Sequence, residues 1–159
     1  MVDDSPSVFL YEDKEYMPQN YEDKYLGQVT LRRALAQSLN VATVKVAEMV
    51  GYERVANLWN KKMGMGATAA VHPYPAIALG SFEATPLEIA TAYNVLANGG
   101  LKVEPVAVLS VTDDQERPLE EHKPQTPRVA RPESAYLVTA MMRSVLSGGT
   151  AGGAWAMGL

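Results

Sequence analysis

The chain has 159 residues, 47% hydrophobic and 20% charged, which suits one compact domain with a real core. Its formal net charge is -4 and the sequence holds no basic stripe to neutralise phosphates, which argues against nucleic acid or an anionic membrane as the main partner. With no cysteine there is neither a structural disulfide nor a thiolate zinc site.

Residues 1–28 are polar with scattered aromatics, interrupted by Pro6, Pro18 and Gly27. No helical period persists there, so an irregular, partly extended arm is expected, lying across something else. Residues 29–100 read as a helical core. Thr30 is an N-cap for a short helix with Leu31, Ala34 and Leu35 on one face, ending near Ser38. A second helix starts near Asn40 or Val41. Its stripe of Ala42, Val46, Met49 and Val50, with Val41, Val44 and Ala47 besides, predicts burial nearly all round, and Gly51 ends it. From Tyr52 to Met63 the pattern is amphipathic, with Tyr52, Val55, Ala56, Trp59 and Met63 sharing a face. Gly64 to Pro75 is a loop. Thr85, Pro86 and Glu88 spell a capping box for a helix with Ile89, Ala92, Tyr93 and Leu96 as its core stripe, stopped by Gly99-Gly100.

Residues 101–130 predict a β-hairpin and a Pro-rich linker. Alternation over Val106 to Val111 marks a strand that turns at Asp113 to Glu116, and Pro118, Pro124, Pro127 and Pro132 stiffen the linker beyond it. Residues 131–159 give a last helix over about Glu133 to Leu146, with Val138, Met141, Met142 and Val145 inward. A Gly-rich tail comes after it, mobile on composition unless something pins it. The expected fold class is mainly α with a small β-hairpin.

Two helices meet at Ser38-Leu39-Asn40, which puts a hydroxyl and an amide at an otherwise apolar joint. The bland reading is a connector in which serine caps, leucine fills a gap and asparagine tolerates the left-handed conformation. The functional reading is a rigid platform from which two short polar side chains reach a cleft. Other residues carry less. His72 and His122 are far apart with no carboxylate spacing around them, so no metal site is expected. Asp113-Asp114 and Glu120-Glu121 read as solvated turns, Met141-Met142 as core, and Lys45 as an ion-pairing or snorkelling side chain.

Several blocks decide between the readings. "DDSP" from Asp3, "PQNYEDKYLGQVTLRRALAQSLNVATVKVAE" from Pro18, "ALGSFEATPLEIATAYNVLANGG" from Ala78, the "VTDD" strand and "MMRSVLSGGTA" from Met141 succeed one another in one order. Together they resemble the transpeptidase domain of class A penicillin-binding proteins, the peptidoglycan synthases, over essentially the whole chain. The resemblance implies part of the β-lactamase-like transpeptidase fold, in which Ser-x-x-Lys, Ser-x-Asn and Lys-Thr-Gly motifs converge on one cleft. Ser38-Leu39-Asn40 matches the second motif. By resemblance Ser38 is a catalytic proton relay and Asn40 binds the backbone of the donor stem peptide. No serine here is followed three residues later by lysine, and no Lys-Thr-Gly or Lys-Ser-Gly occurs. The chain therefore reads as the middle of such a domain, inactive alone.

The implied partners are a peptidoglycan stem ending in D-Ala-D-Ala and, for the intact domain, β-lactams, with no metal or organic cofactor. The parent is expected to be periplasmic or extracytoplasmic, anchored in the cytoplasmic membrane by a helix absent here, with a glycosyltransferase domain ahead. No apolar run here approaches a membrane span, so no direct membrane contact is expected from this piece. Exposed apolar surface is expected to let the piece pair with itself. The competing reading is a degenerate, non-catalytic binding or scaffolding module of the same fold.

Overall fold

The structure, a computed structural model, describes residues 1–66 and 69–158. The middle of the predicted Gly64–Pro75 loop and the last residue of the predicted tail lie outside the described residues. The order of elements is β1 (Val2–Asp3), β2 (Phe9–Tyr11), β3 (Lys14–Tyr16), β4 (Gln28–Val29), α1 (Leu31–Ala36), α2 (Asn40–Val50), α3 (Tyr52–Asn57), α4 (Pro86–Ala97), β5 (Ser110–Thr112), β6 (Pro118–Glu121), α5 (Pro132–Gly148) and α6 (Gly152–Ala156). Helices dominate, and the strands form three separate antiparallel pairs. The sequence announced only one of these pairs, β5 with β6. It lies later than the alternation indicated, at Ser110–Thr112, and both its strands are exposed.

The opening arm holds the other two pairs. Val2 pairs with Val29 and Asp3 with Gln28, which staples the start of the arm to its end. Between them β2 and β3 form a hairpin with Phe9 opposite Tyr16. Val2, Val29 and Phe9 are each at most 2% exposed, so three well-spaced apolar residues anchor a stretch that is polar on average.

Two apolar clusters lie either side of α2. Val2, Val29, Ala34, Leu39 and Ala42 form the smaller one. The larger gathers Ala47, Tyr52, Ala56, Met63, Met65, Val71, Ile77, Ala92 and Val95. Helix α2 is buried at Val41, Ala42, Val44 and Ala47. Its last turn is not: Met49 is 75% and Val50 47% exposed, against the expectation of burial all round. The Tyr52–Met63 stripe packs as its periodicity indicates, although the backbone loosens to a wider π-type turn over Leu58–Met63. The Thr85 capping box forms on both sides, with Glu88 N–H donating to Thr85 Oγ1 and Thr85 N–H donating to Glu88 Oε2.

In α4 the stripe is rotated from the one expected. Ala92 and Val95 are buried, whereas Ile89 is 40% and Tyr93 56% exposed. These two, with Leu96, line an apolar trough of about 810 Å³ whose far wall is Val138, Met142 and Val145 of α5. Met142 thus faces a trough wall rather than a closed core.

The Gly-rich tail is pinned. Thr150 N–H donates to Ala36 O at 3.1 Å, and Gln37 Nε2 donates to Gly148 O at 3.0 Å. Arg32 of α1 reaches Ala140 O and Ser144 Oγ of α5 at 2.7 and 2.9 Å. Gly149 lies so close to α1 that a Cβ would stand 2.2 Å from Ala36 O. Gly149→Ala is therefore expected to destabilise the chain by about 1–3 kcal/mol, since the obstacle is backbone and cannot swing away. Gly148→Ala, with open space around the added methyl, is the matched control and should be neutral or mildly stabilising. Thermal unfolding of the two variants side by side checks the pair.

Tyr52 packs edge-on against Tyr11, with ring centroids 5.8 Å apart, and its hydroxyl finds no partner among the described residues. Burial pushes the phenol up to about 12, with the nearby Glu48 charge adding to the rise. A raised phenol contributes stability that is complete below about pH 10 and lost as pH climbs through about 12. Tyr52→Phe should thus cost nothing at neutral pH and blunt the alkaline loss, as read by denaturation midpoints from about pH 8 to about pH 12.

Candidate functional site

Thr30 Oγ1 accepts from Arg33 N–H at 3.1 Å and starts α1. The helix ends in two characteristic bonds. Ser38 N–H donates to Leu35 O at 3.1 Å, and Leu39 N–H donates to Ala34 O at 2.9 Å. This is the Schellman pattern, which demands a left-handed residue at the position Ser38 occupies. Ser38 sits at φ 53°, where glycine is the usual choice.

The roles in the tripeptide differ from the connector reading. Serine does not cap, and asparagine does not take the left-handed turn. Ser38 takes it, Leu39 flanks α2 without any side-chain capping bond, and Asn40 is the first residue of α2. Leu39 does fill the gap, 6% exposed in the smaller core cluster.

Ser38 is exposed and Asn40 half-buried, and both line one hollow of about 580 Å³. Its other walls are Asn20, Tyr21, Glu22, Lys24 and Leu26 from the arm, Gln37 from the end of α1, and Thr150 from the tail. Asn40 Nδ2 donates to Gln19 O at 2.8 Å. The second amide hydrogen and Oδ1 have no partner among the described residues and stay available to a ligand. Lys24 and Glu22 form an ion pair on the rim, both largely solvated and so weakly stabilising.

Beneath the hollow lies a buried polar network. Asp4, fully buried, accepts from Asn20 Nδ2 at 2.9 Å through both oxygens and from Leu26 N–H at 3.0 Å. Asn20 Nδ2 also donates to Lys24 O, and its Oδ1 accepts from Val41 N–H at 3.1 Å. Beside this network Lys45 donates to Asp3 Oδ2 at 2.8 Å and to Ser5 O at 3.1 Å, the ion pair its sequence position suggested. The Lys45 ammonium, helped by the Ser5 hydroxyl, holds the Asp3 carboxyl below the ordinary carboxylate range. Sequence reasoning missed Asp4, Asn20 and Thr150. The only signal for them is an aspartate inside "DDSP" whose partner lies 16 residues away.

His72 is exposed, and His122 faces Glu120 at 2.9 Å on the outer hairpin. Among the described residues no three metal-ligating side chains come together, and no helix is long and apolar enough to cross a membrane.

A left-handed serine thus stands at a fixed joint between two packed helices and opens on a hollow it shares with Asn40. Comparison with known proteins identifies the family. Residues 2–157 match the penicillin binding protein transpeptidase domain, and the chain belongs to that family. It is 37% identical over 138 residues to penicillin-binding protein 1A of Aquifex aeolicus, covering 87% of this chain and 18% of that protein. It is 34% identical over 137 residues to penicillin-binding protein 1B of Escherichia coli, covering 85% of this chain and 16% of that one. The chain thus spans less than a fifth of the length of these class A relatives. The crystal structure of penicillin-binding protein 1A from Haemophilus influenzae superposes with a TM-score of 0.83 at 25% identity, over 94% of this chain and 28% of that one. Penicillin-binding protein A of M. tuberculosis, solved as an imipenem acyl-enzyme complex, shares the fold with a TM-score of 0.74 at 20% identity, over 92% of this chain and 38% of that one.

Holding a serine in the left-handed region costs on the order of 1 kcal/mol that glycine would not incur. Ser38→Gly is expected to stabilise the chain by about 0.5–1 kcal/mol, read as a higher urea midpoint. A lower midpoint would mean that the turn holds no strain and that the hydroxyl is structural.

Proposed function

We propose that this chain forms the central part of a D,D-transpeptidase domain that cross-links peptidoglycan stems, with Ser38 and Asn40 in its cleft. The single observation that carries the reading is the strained hydroxyl of Ser38 beside the free amide positions of Asn40 in one hollow. A serine kept where glycine is easier argues for a use of its oxygen.

The nucleophile, its lysine and the Lys-Thr-Gly strand come from polypeptide outside this sequence. That serine's oxygen bonds to the carbonyl carbon of the penultimate D-alanine, and the bond to the terminal D-alanine nitrogen breaks. Ser38 Oγ, hydrogen-bonded to the lysine, hands the departing amine its proton. An amine of a second stem then attacks the acyl-enzyme and frees the serine. Asn40 holds the donor backbone so that the carbonyl presents its face to the attacking oxygen. A β-lactam enters the same cleft and stops at the acyl stage. The parent protein works outside the cytoplasmic membrane, to which it is anchored, and carries a glycosyltransferase domain.

Incubation of the 159-residue chain with a fluorescent penicillin should give no covalent label. The same protein expressed with its flanking segments should label, and Ser38→Ala in it should slow acylation about 10²- to 10⁴-fold, the usual contribution of a positioned proton carrier. Ser81→Ala, outside the hollow, should leave the rate alone. Labelling of the short chain, blocked by excess unlabelled drug, would overturn the division of labour. Unchanged acylation in Ser38→Ala would instead remove Ser38 from the proton path, and no label even with the flanking segments would favour a non-catalytic scaffold.

A further inference from the structure

The start of α2 presents a problem of backbone accounting. The first amides of a helix have no partner within it, and the residue before α2 is Leu39, whose side chain cannot accept a bond. The partner comes from 21 residues upstream. Asn20 Oδ1 accepts from Val41 N–H, the second amide of the helix. The same side chain gives one bond to Lys24 O and the other to Asp4. Asn20 is 5% and Asp4 0% exposed, so these are bonds without competing water.

We infer that Asn20 is the positioning residue of the site: with Asp4 behind it, it caps α2 from the arm and fixes where Asn40 and the Ser38 turn stand. Asn40 Nδ2 ties back to Gln19 O, one residue from Asn20, so arm and helix start are clamped twice over. Leu26 N–H on Asp4 holds the far end of the same loop. Residues 20–26 therefore form the wall of the hollow opposite Ser38, and they are set by the same carboxylate that sets the helix. Asn20 reaches the hollow with only 5% of its surface, and its side-chain nitrogen and oxygen are bonded within the protein, so it acts through Asn40 and the turn. The inference rests on the transpeptidase reading for what the positioned residues do, but not for the clamp itself.

A reciprocal exchange tests it. In Asn20→Asp two carboxylates face each other and the donor to Asp4 is lost. In the double variant Asp4→Asn, Asn20→Asp the carboxamide on residue 4 donates to the carboxylate on residue 20, which still accepts from Val41 N–H. Leu26 N–H keeps its acceptor, while one of the two contacts with residue 4 and the bond to Lys24 O are missing. Amide exchange by NMR on the 159-residue chain, with no ligand present, reads the clamp at Val41. Asn20→Asp should speed exchange at Val41 about tenfold or more, because repulsion between the two carboxylates draws the acceptor away from Val41 N–H and that buried hydrogen bond is lost, and Val44 in the middle of α2 should change less. The double variant should return Val41 to within about threefold of the parent chain, a distance short of one such bond.

Unchanged Val41 exchange in Asn20→Asp, or a double variant as fast as the single one, overturns the inference. If the single variant does not fold, the double variant alone decides: folded with a slow Val41 it supports the clamp, and unfolded or fast it refutes it. The penicillin labelling described above bears only on the catalytic reading, so the two can fail separately.

Discussion

One backbone conformation organises this molecule: the left-handed turn at Ser38. A helix that ended in glycine could stop in the same way at less expense, but it would present no hydroxyl. Because the turn is uphill for serine, its surroundings must over-determine it. They do so from three directions. Leu39 is sunk in a core cluster, the tail bonds Ala36 O on one side, and the arm caps Val41 on the other. Each of these contacts comes from a different stretch of chain, so the site is a product of the whole fold and not of its own tripeptide.

The charges obey the same logic. Asp3 and Asp4 are neighbours in sequence and opposites in setting. Alternation at the end of β1 turns Asp3 toward Lys45 and solvent and Asp4 into the interior. The first is a partly solvated ion pair of modest consequence. The second meets no cation among its hydrogen-bond partners. Bonds from the Asn20 amide and Leu26 N–H to its two oxygens replace water, which is how a buried carboxyl is kept tolerable.

How much could be read in advance depended on the range of the interaction. The Thr85 box, the Thr30 cap, the Tyr52–Met63 stripe and the Ser38–Asn40 joint are written in residues a few positions apart, and each was legible. The burial of α4 was not, because its helical period shows an apolar stripe without saying which apolar residues meet a neighbour; Ile89 and Tyr93 line a trough instead. The arm misled because average polarity hides three apolar anchors. Within the site, the tripeptide was visible, yet its internal roles came out permuted. Short polar residues at a joint can exchange capping and turning duties, and the deciding partners are the long-range Asn20 side chain and the backbone carbonyls of Ala34 and Leu35.

The close approach of Gly149 to Ala36 has a mechanical side. Helix α5 is 17 residues long, a rod of about 25 Å. Its end abuts the carbonyl of Ala36, two residues ahead of the Ser38 turn, with no side chain between to act as a cushion. Tilting that rod would be passed to the turn almost without slack. Gly149 is thus the point at which α5 and the stretch leading into the turn meet backbone to backbone.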